Sequence, residues 1–472
     1  MNDIKKSYDL AVIGAGPAGL AAATLAARQG VSTVLLDEQP APGGQIYRSV
    51  TETPVRDPKV LGPDYWHGAG LVKPFQESGA DYLPGSTVWS VSRNLEIGLS
   101  REGAATILPA KHIILATGAL ERPFAVPGWT LPGVMGAGAA QVLLKSSGLV
   151  ASGNVVLAGT GPLLWLLAWQ YLRAGADITA ILDTTSRANW RQAMPHMAGF
   201  ARSGYIGKGL KLLLDVRRKV KVIGNVTALR AEGDGQVSSI VYRQGNGAEQ
   251  RLPAETLLLH QGVVPNLNLA NAIGCAQSWD ETQRCWAPQT DAWGATTVEG
   301  VSLAGDGAGI GGALSAEHQG RLTALDALHR LGRIDRQQRD RDAVGHREAL
   351  EKAQRGRVFL DTLYKPAQEF RVPSDDTIVC RCEEVTAAQV RDAVKLGCSG
   401  PNQAKSFLRC GMGPCQGRLC GPTVTEVIAD ARGVSPAEVG YYRLRPPVKP
   451  ITLAELASLP KREDEIDAVL HH

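Results

Sequence analysis

The stretch Leu10–Gly19, LAVIGAGPAG, places a short apolar strand directly before a glycine-rich turn and the start of an alanine-rich helix. The turn fits the pattern G-x-G-x-x-G. Its first glycine permits a tight turn, its second lets a ligand approach the backbone, and its third lets the helix pack closely on the strand. A second strand, Thr33–Leu36, ends at Asp37, where this pattern usually places an acid that binds ribose. The sequence therefore predicts a β-α-β unit that binds a dinucleotide.

The residues expected to hold this nucleotide lie in the turn and at the end of the second strand. A helix N-terminus offers free N–H groups and a positive potential to phosphates. We expect Asp37 to accept hydrogen bonds from the ribose, and the adjacent Glu38 is the alternative. The phosphate-binding residues of the turn are predicted to be Gly14, Gly16, Pro17, Ala18 and Gly19.

A second unit of the same kind starts with the strand Asn154–Ala158 and ends at Asp183. Its glycine turn, Gly159–Leu164, reads GTGPLL and carries a leucine where the pattern needs a third small residue. A branched side chain there either pushes the helix away from the strand or fills the space of the pyrophosphate. We therefore do not expect NAD(P)H to deliver a hydride here, although Asp183 could still hold a ribose.

Length and composition limit the class of protein. At roughly 100–200 residues per domain, 472 residues predict about three domains. Charged residues make up 20% of the chain and basic residues exceed acidic ones by four, which argues against disorder and against nucleic-acid binding. Met1–Ser7 lack the pattern of a secretory signal, and Gly159 and Pro162 interrupt the apolar run Val155–Leu172. We therefore expect a cytoplasmic protein without a membrane span.

Six of the eight cysteines lie between Cys380 and Cys420. Cys380 and Cys382 form one close pair, and after 32 intervening residues Cys415 and Cys420 form another. Four thiolates from two separated loops suit a tetrahedral sulfur site, either an iron–sulfur cluster or zinc. Cys410 competes for one ligand position, and a zinc site or an empty structural module is the alternative.

Residues 8–330 resemble the flavoproteins with two dinucleotide-binding domains, such as glutathione reductase and thioredoxin reductase. The similar segments are Pro42–Gln45, Ile114–Gly118, Gly262–Asn266 and Ala304–Asp306. The resemblance implies FAD, with the flavin ribitol bound by Asp306. No C-x-x-C motif precedes Cys380, so the flavin-to-disulfide relay of those reductases is not expected. The implied flavin contacts outside the first unit are Gly44, Gln45, Thr117, Gly118, Gly305 and Asp306.

The cysteine-rich segment Val379–Val424 resembles the bacterioferritin-associated-ferredoxin-like domain, which holds a 2Fe-2S cluster. Within it, Gly411–Cys420, GMGPCQGRLC, matches the variant that is fused to flavin dehydrogenases. The implied fold class is α/β, a glutathione-reductase-like flavoprotein with two dinucleotide-binding domains and a small C-terminal helical iron–sulfur domain. The implied cluster ligands are Cys380, Cys382, Cys415 and Cys420.

The chain is predicted to divide into five parts. Between Arg330 and Arg357 it carries nine basic and five acidic residues. Such a run is typical of a solvated helix face, and a docking surface for an acidic partner is the alternative. The parts are an FAD-binding domain in two segments, 1–148 and 255–330, an inserted NAD-binding-like domain at 149–254, an Arg-rich helical connector at 331–372, the 2Fe-2S domain at 373–442 and a C-terminal tail at 443–472.

The order of these parts along nearly the whole chain resembles the alpha subunits of hetero-oligomeric amine dehydrogenases. This group includes octopine and nopaline oxidase, D-hydroxyproline dehydrogenase and the B subunit of hydrogen cyanide synthase. The resemblance implies one subunit of an FAD-dependent oxidoreductase that acts on CH–NH donors. A beta subunit would carry a second FAD and the site for an amino or imino acid. The present chain would pass electrons through flavin and the 2Fe-2S cluster to a quinone or another acceptor.

The same resemblance also allows FMN at a subunit interface and a small ferredoxin-like gamma subunit. We predict no catalytic residue in this chain, because His260 and His318 lie in no motif and are expected to pack or to form hydrogen bonds. Two other functions remain open. One is a self-contained NAD(P)H-dependent reductase, against which Leu164 argues, and the other is a scaffold whose nucleotide and metal are structural.

Overall fold

The computed structural model describes residues 5–460. The elements of its first part are β1 (Tyr8–Ile13), α1 (Pro17–Arg28), β2 (Thr33–Leu36), α2 (Pro58–Leu61), α3 (Pro63–Trp66), α4 (Ala69–Gln76), β3 (Asp81–Leu83), β4 (Thr87–Val91), β5 (Glu96–Arg101), β6 (Ala104–Leu115), β7 (Ala119–Glu121), β8 (Val134–Gly136) and α5 (Ala137–Ser147). The first sheet has the strand order β3-β2-β1-β6-β5-β4, and β6 also pairs with a later strand, Val301–Leu303.

The register of the first sheet brings the predicted nucleotide residues together. Strand β1 lies between β2 and β6 and is parallel to both. Because Ile13 pairs with Leu36, β1 and β2 end side by side, and Gly14 and Asp37 follow at the same edge of the sheet. Strands β1 and β2 are almost entirely buried, as expected for parallel strands that are covered on both faces. The predicted β-α-β unit is confirmed.

The second nucleotide unit forms a separate five-stranded sheet and carries a three-stranded antiparallel sheet beside it. Its elements are β9 (Val155–Thr160), α6 (Pro162–Arg173), β10 (Ala180–Asp183), α7 (Arg187–Ala193), a 3₁₀ turn (Met194–His196), α8 (Met197–Ala201), α9 (Tyr205–Arg217), β11 (Val222–Ile223), β12 (Val226–Glu232), β13 (Ser239–Gln244), β14 (Glu249–Pro253), β15 (Thr256–Gln261) and β16 (Val263–Pro265).

Strand β15 pairs inside this second sheet, next to β9 and β8, although its residues lie outside the range 149–254 predicted for the inserted domain. The sequence alone places its apolar run equally well in either sheet, because both sheets are parallel and buried. The chain returns to the first sheet only at Val301–Leu303, which pairs with β6. We therefore place the second boundary of the inserted unit at about residue 262.

The remaining flavin-like segment and the connector form one helical layer. Helix α12 packs on α11, and the guanidinium groups of Arg339 and Arg347 lie 4.0 Å and 4.3 Å from the ring centroid of Trp293. The predicted connector is thus a docked helix. The elements are α10 (Asn268–Ile273), β17 (Gln277–Asp280), β18 (Cys285–Pro288), β19 (Val301–Leu303), a 3₁₀ turn (Gly305–Gly307), α11 (Ala313–Arg330), α12 (Arg336–Gln354), α13 (Arg357–Leu363) and α14 (Gln368–Arg371).

The cysteine-rich part has its own apolar core, to which the helices α15 and α17 contribute Val390, Val424 and Val427. Residues 461–472 of the predicted tail lie outside the described residues. Between residues 5 and 460, no helix is long and apolar enough to cross a bilayer. The elements are β20 (Ile378–Cys380), β21 (Val385–Thr386), α15 (Ala387–Lys395), α16 (Pro401–Leu408), α17 (Gly421–Arg432), α18 (Pro436–Val439) and α19 (Leu453–Ala457).

Helices α1 and α11 pack so closely that no side chain fits between them at one point. A Cβ atom added to Gly320 in α11 would lie 2.1 Å from the backbone oxygen of Ala18 in α1. A Cβ atom on Gly19 would lie 1.8 Å from the oxygen of Gly14. These two glycines therefore set the distance between α1, the glycine turn and α11.

We expect the Gly320→Ala variant to be less stable than the wild type by roughly 1–3 kcal/mol, because the two helices must move apart. The matched control is Gly345→Ala in α12, where nothing lies within 4 Å of an added Cβ atom. The control should gain up to about 1 kcal/mol, the difference in helix propensity between alanine and glycine. Thermal unfolding measures both effects. Equal melting temperatures for the two variants would contradict the close packing.

A dinucleotide cavity beside a cysteine cluster

A large cavity connects the two nucleotide units. Its volume is about 2330 Å³, and its walls include the first glycine turn, the second turn at Gly161 and Asp306. It also reaches Arg418, in the loop between Cys415 and Cys420. Ligand pockets usually measure about 300–1,000 Å³, so this cavity has room for an extended dinucleotide and for a further group.

The first glycine turn leaves backbone, not side chains, facing the cavity. Gly14 has a φ of +109°, and an added Cβ atom would lie 2.4 Å from the oxygen of Ala116. A Cβ atom on Gly44 would lie 2.8 Å from the Cα atom of Gly16. No side chain caps the N-terminus of α1, and Pro17 occupies its first position. This end of α1 can therefore receive a phosphate.

The carboxylate of Asp37 joins the turn to the loop that follows β2. Its Oδ2 accepts a hydrogen bond from the Ala15 N–H at 2.5 Å, and its Oδ1 accepts one from the Gln39 N–H at 2.7 Å. Burial raises the pKa of Asp37. A carboxylate has about four lone-pair sites, so Asp37 keeps acceptor capacity toward a ribose. Glu38, by contrast, forms an ion pair with Lys449 of the C-terminal tail.

The other predicted flavin contacts lie along the same cavity. Asp306 Oδ1 accepts hydrogen bonds from the N–H groups of Gly311 at 2.9 Å and Gly312 at 2.8 Å, which fixes the approach to α11. The Asn266 N–H donates to the Gly118 oxygen at 2.9 Å. Residues of the predicted set that line the cavity are Gly14, Gly16, Pro17, Ala18, Asp37, Glu38, Gly44, Gln45, Thr117, Gly118, Gly305 and Asp306.

Lys145 is a buried cation at this cavity that no sequence pattern reveals. Its Nζ donates to the oxygens of Gln45 at 3.2 Å and Ile46 at 2.9 Å, and to Gln141 Oε1 at 2.8 Å. The Gln141 amide donates in turn to Gln170 Oε1 at 2.9 Å. Burial lowers the pKa of Lys145 to about 7. Lys145 therefore holds the loop around residues 44–46 in place.

The second glycine turn differs from the first because a buried leucine, Leu164, occupies the place of the third small residue. Leu164 is fully buried in the apolar core together with Val155 and Leu157. Asp183 Oδ1 accepts a hydrogen bond from the Thr185 N–H at 2.9 Å. Burial, followed by the neighbouring Asp183 carboxylate, raises the pKa of Tyr364 to about 12. Tyr364 of the connector thus lines the same cavity as the acid that could have bound a ribose.

Five cysteines meet at the cluster domain, and we call them the cysteine cluster: Cys380, Cys382, Cys410, Cys415 and Cys420. The sulfur atoms of Cys380, Cys410 and Cys420 lie within 4.8 Å of one another, and all three residues are buried. Burial, and after it the neighbouring Cys415 thiol, raises the pKa of Cys382, so these two side chains are also neighbours. The structure therefore brings Cys410, the predicted competitor for one ligand position, next to Cys380 and Cys420.

The thiols of the cysteine cluster differ in pKa, and that of Cys380 is lowered. Hydrogen bonds from the Cys410 and Cys420 thiols lower the pKa of Cys380 to about 2, and the N–H groups of Gly411 and Glu383 act in the same direction. The hydrogen bond to Cys380 raises the pKa of Cys410 to about 12. Several adjacent thiols can lose their protons together only when metal ions balance the charge, as in a bound cluster.

The sequence of residues 8–320 matches the family described as pyridine nucleotide-disulphide oxidoreductase, and residues 378–430 match the BFD-like [2Fe-2S] binding domain. The chain belongs to the pyridine nucleotide-disulphide oxidoreductase family. This flavoprotein is 48% identical over 99% of its length to the A subunit of opine oxidase from Agrobacterium tumefaciens (strain Ach5), of which it covers 95%. It is 29% identical over 95% of its length to hydrogen cyanide synthase subunit HcnB of Pseudomonas aeruginosa, of which it covers 98%.

The L-proline dehydrogenase of P. horikoshii has a similar fold, with a TM-score of 0.71 and 19% identity over 95% of this flavoprotein and 79% of that chain. These comparisons confirm the predicted family, the predicted fold class and the assignment as an oxidoreductase. They imply a flavin and a 2Fe-2S cluster. The structure fits both groups, because the uncapped end of α1 and Asp37 face the cavity and because the buried sulfurs of Cys380, Cys410 and Cys420 lie within 4.8 Å of one another, with Cys382 and Cys415 near them.

The contacts of Lys145 and the position of Cys410 could not be predicted from sequence patterns. Lys145 bonds residues about 100 positions earlier in the chain, and only the fold brings them together. The sequence gives Cys410 only as a competitor for one ligand position, because the conformation of its loop decides that it lies next to Cys380.

One residue of the predicted nucleotide-binding set is not at the cavity wall. Gly19 packs against Gly14 and does not line the cavity.

We expect the Lys145→Met variant to retain less flavin and to melt at a lower temperature. Methionine fills the same space but removes the donor from the buried Gln141 Oε1 and from two partly buried carbonyls, and leaving a buried acceptor without a donor costs about 1–3 kcal/mol. The matched control is Lys73→Met on α4, where the side chain is exposed. Flavin content after gel filtration and thermal unfolding measure both effects. Equal flavin content and equal melting temperatures in the two variants would refute the role of Lys145.

Proposed function

We propose that this flavoprotein is the electron-transferring alpha subunit of a hetero-oligomeric oxidase or dehydrogenase. The whole complex would oxidise the C–N bond of an amino or imino acid of the opine or hydroxyproline type. Oxidation of a C–N single bond to an imine releases two electrons and two protons. The two electrons would leave this subunit through the 2Fe-2S cluster, one at a time, to a quinone or another acceptor. Flavin suits such a relay because it exchanges both one and two electrons.

The main support for this proposal is that the nucleotide cavity extends to the loop of the cysteine cluster. Arg418 lines the cavity and lies between Cys415 and Cys420 in the chain. Asn268 also lines the cavity, and its side chain donates a hydrogen bond to the Gln416 oxygen at 3.3 Å. The loop that would hold the cluster is therefore one wall of the space that would hold the flavin. Direct adjacency of this kind favours electron transfer over two independent structural roles.

For the cluster we propose Cys380, Cys382, Cys415 and Cys420 as the ligands. Cys382 and Cys415 already form one pair, so they suit one iron. The other iron then takes two of the three thiols that lie within 4.8 Å of one another, and Cys410 is the alternative for one of them. Sulfur donors in two pairs are the usual set for a 2Fe-2S centre.

The cavity walls also support a partner subunit. Large apolar side chains at the walls are exposed, and they include Leu143, Leu210 and Leu314. Exposed apolar side chains grouped around one cavity are typical of a surface that another protein covers. We propose that a beta subunit with its own FAD and the amine site binds there, with room for FMN at the interface. The small ferredoxin-like gamma subunit stays a prediction.

The contacts of the second unit disfavour the alternative, a self-contained NAD(P)H-dependent reductase. Leu164 fills the position of the third small residue, and Tyr364 lines the cavity near Asp183. His260 is buried, and its Nδ1 lies 2.6 Å from Glu121 Oε1, which fits the predicted hydrogen-bonding role. A relay subunit needs neither a substrate base nor a hydride donor site.

We expect Cys415→Ser, in the complex with its partner subunit, to abolish electron transfer to an external dye while the partner's flavin is still reduced by the amine. The matched control is Cys398→Ser, a buried thiol outside the cysteine cluster that only donates to the Gly400 oxygen at 3.4 Å. The control should keep its iron, its labile sulfide and its dye reduction. Unchanged turnover of Cys415→Ser would contradict the proposed function.

A further inference from the structure

Tyr442 is a buried side chain whose hydroxyl reaches the cysteine cluster. It follows α18 and is 1% exposed. Its hydroxyl donates a hydrogen bond to Cys410 Sγ at 3.4 Å and lies 3.7 Å from Cys420 Sγ. A phenol group buried at this depth normally has a polar partner, and here the nearest partners are sulfur atoms.

The loop that carries Cys415 is shaped around the ring of Tyr442. A Cβ atom added to Gly411 would lie 2.5 Å from the ring, and one added to Gly417 would lie 2.7 Å from it. Both glycines have positive φ angles, of 86° and 75°. Larger residues would therefore be strained there and would also collide with the tyrosine. The ring thus sets the path of the loop on both sides of Cys415.

The backbone of Tyr442 is held by the nucleotide-binding part of the molecule. The side chain of Asn271 on α10 donates to the Tyr442 oxygen at 2.9 Å and accepts from the Leu444 N–H at 2.9 Å. Asn268, on the same helix, lines the cavity and bonds the Gln416 oxygen. One short helix therefore connects the cavity wall to both the cysteine loop and the tyrosine.

We propose that Tyr442 is a positioning residue that donates a hydrogen bond to the ligand sulfur nearest its hydroxyl, Cys420 in the proposed set or Cys410 as the alternative, and raises the reduction potential of the 2Fe-2S centre. The inference rests on the proposed function only in that the cysteine cluster holds 2Fe-2S. One-electron reduction makes the centre more negative, so a donor to sulfur stabilises the reduced state more than the oxidised state. Asn271 fixes the position of this donor relative to the cavity.

The test compares Tyr442→Phe with Tyr441→Phe in the purified complex. The hydroxyl of Tyr441 lies against Gly421, where an added Cβ atom would be 2.1 Å from it, and between residues 5 and 460 it forms no hydrogen bond with a thiol. Both variants should keep the wild-type content of iron and labile sulfide. Redox titration with dithionite, followed by EPR, should show a more negative midpoint for Tyr442→Phe alone. The expected change is about threefold to tenfold in the reduction equilibrium, at most about 59 mV for one electron.

A second measurement remains decisive if Tyr442→Phe loses its cluster. In Tyr441→Phe protein whose tyrosines are deuterated on their ring carbons, kept in H₂O and reduced with dithionite, pulsed EPR should detect ring deuterons coupled to the cluster. Backbone N–H groups stay protonated in H₂O, so this coupling reports the ring of Tyr442. Equal midpoints in the two phenylalanine variants, or no coupled ring deuteron, would overturn the inference. In both measurements dithionite, and not the amine, reduces the cluster. The results are therefore independent of whether the cluster takes part in turnover.

Discussion

The rest of the structure depends on how closely helix α1 approaches its neighbours. Gly19 and Gly320 remove the side chains that would keep α1 away from the glycine turn and from α11, and Gly44 does the same for the loop that crosses the turn. Close packing of these backbones brings Asp306, at the approach to α11, to the same cavity as Asp37. A helix end that is free of side-chain caps, next to two carboxylates, is a site for a molecule with both phosphates and hydroxyl groups.

A second set of contacts fixes the cluster domain against this cavity. Glu426 on α17 is buried and accepts from Arg284 Nη2 at 2.9 Å, and it also pairs with Arg371. Asn268 and Asn271 add hydrogen bonds from α10 to the cysteine loop and to the Tyr442 backbone. Buried ion pairs add little net stability, but breaking one is costly, so they favour one arrangement over others. An electron relay needs such a fixed arrangement, because transfer between two centres depends on their separation.

Local patterns in the sequence predicted the two nucleotide units, the glycine roles and the pairing of close cysteines. These features depend on neighbours within a few residues, such as Gly14 and Gly19, or on a strand that must end at Asp37. Lys145 and Tyr442 could not be predicted, because their partners lie far away in the chain and their residue types carry no motif. The sheet to which β15 belongs could not be predicted either, because a buried apolar strand fits either of the two parallel sheets. Cys410 stayed ambiguous because loop conformation, and not spacing, decides which thiols meet.

We propose that electrons released by the partner leave through the cysteine cluster beside the nucleotide cavity. This route can be followed by rapid-freeze EPR of the anaerobic complex after mixing with its amine substrate. An oxidised 2Fe-2S centre gives no EPR signal, and a reduced one does. We expect the reduced signal to appear within one turnover and to decay when the acceptor is added. A cluster that stays silent while the amine is oxidised and the acceptor is reduced would contradict it.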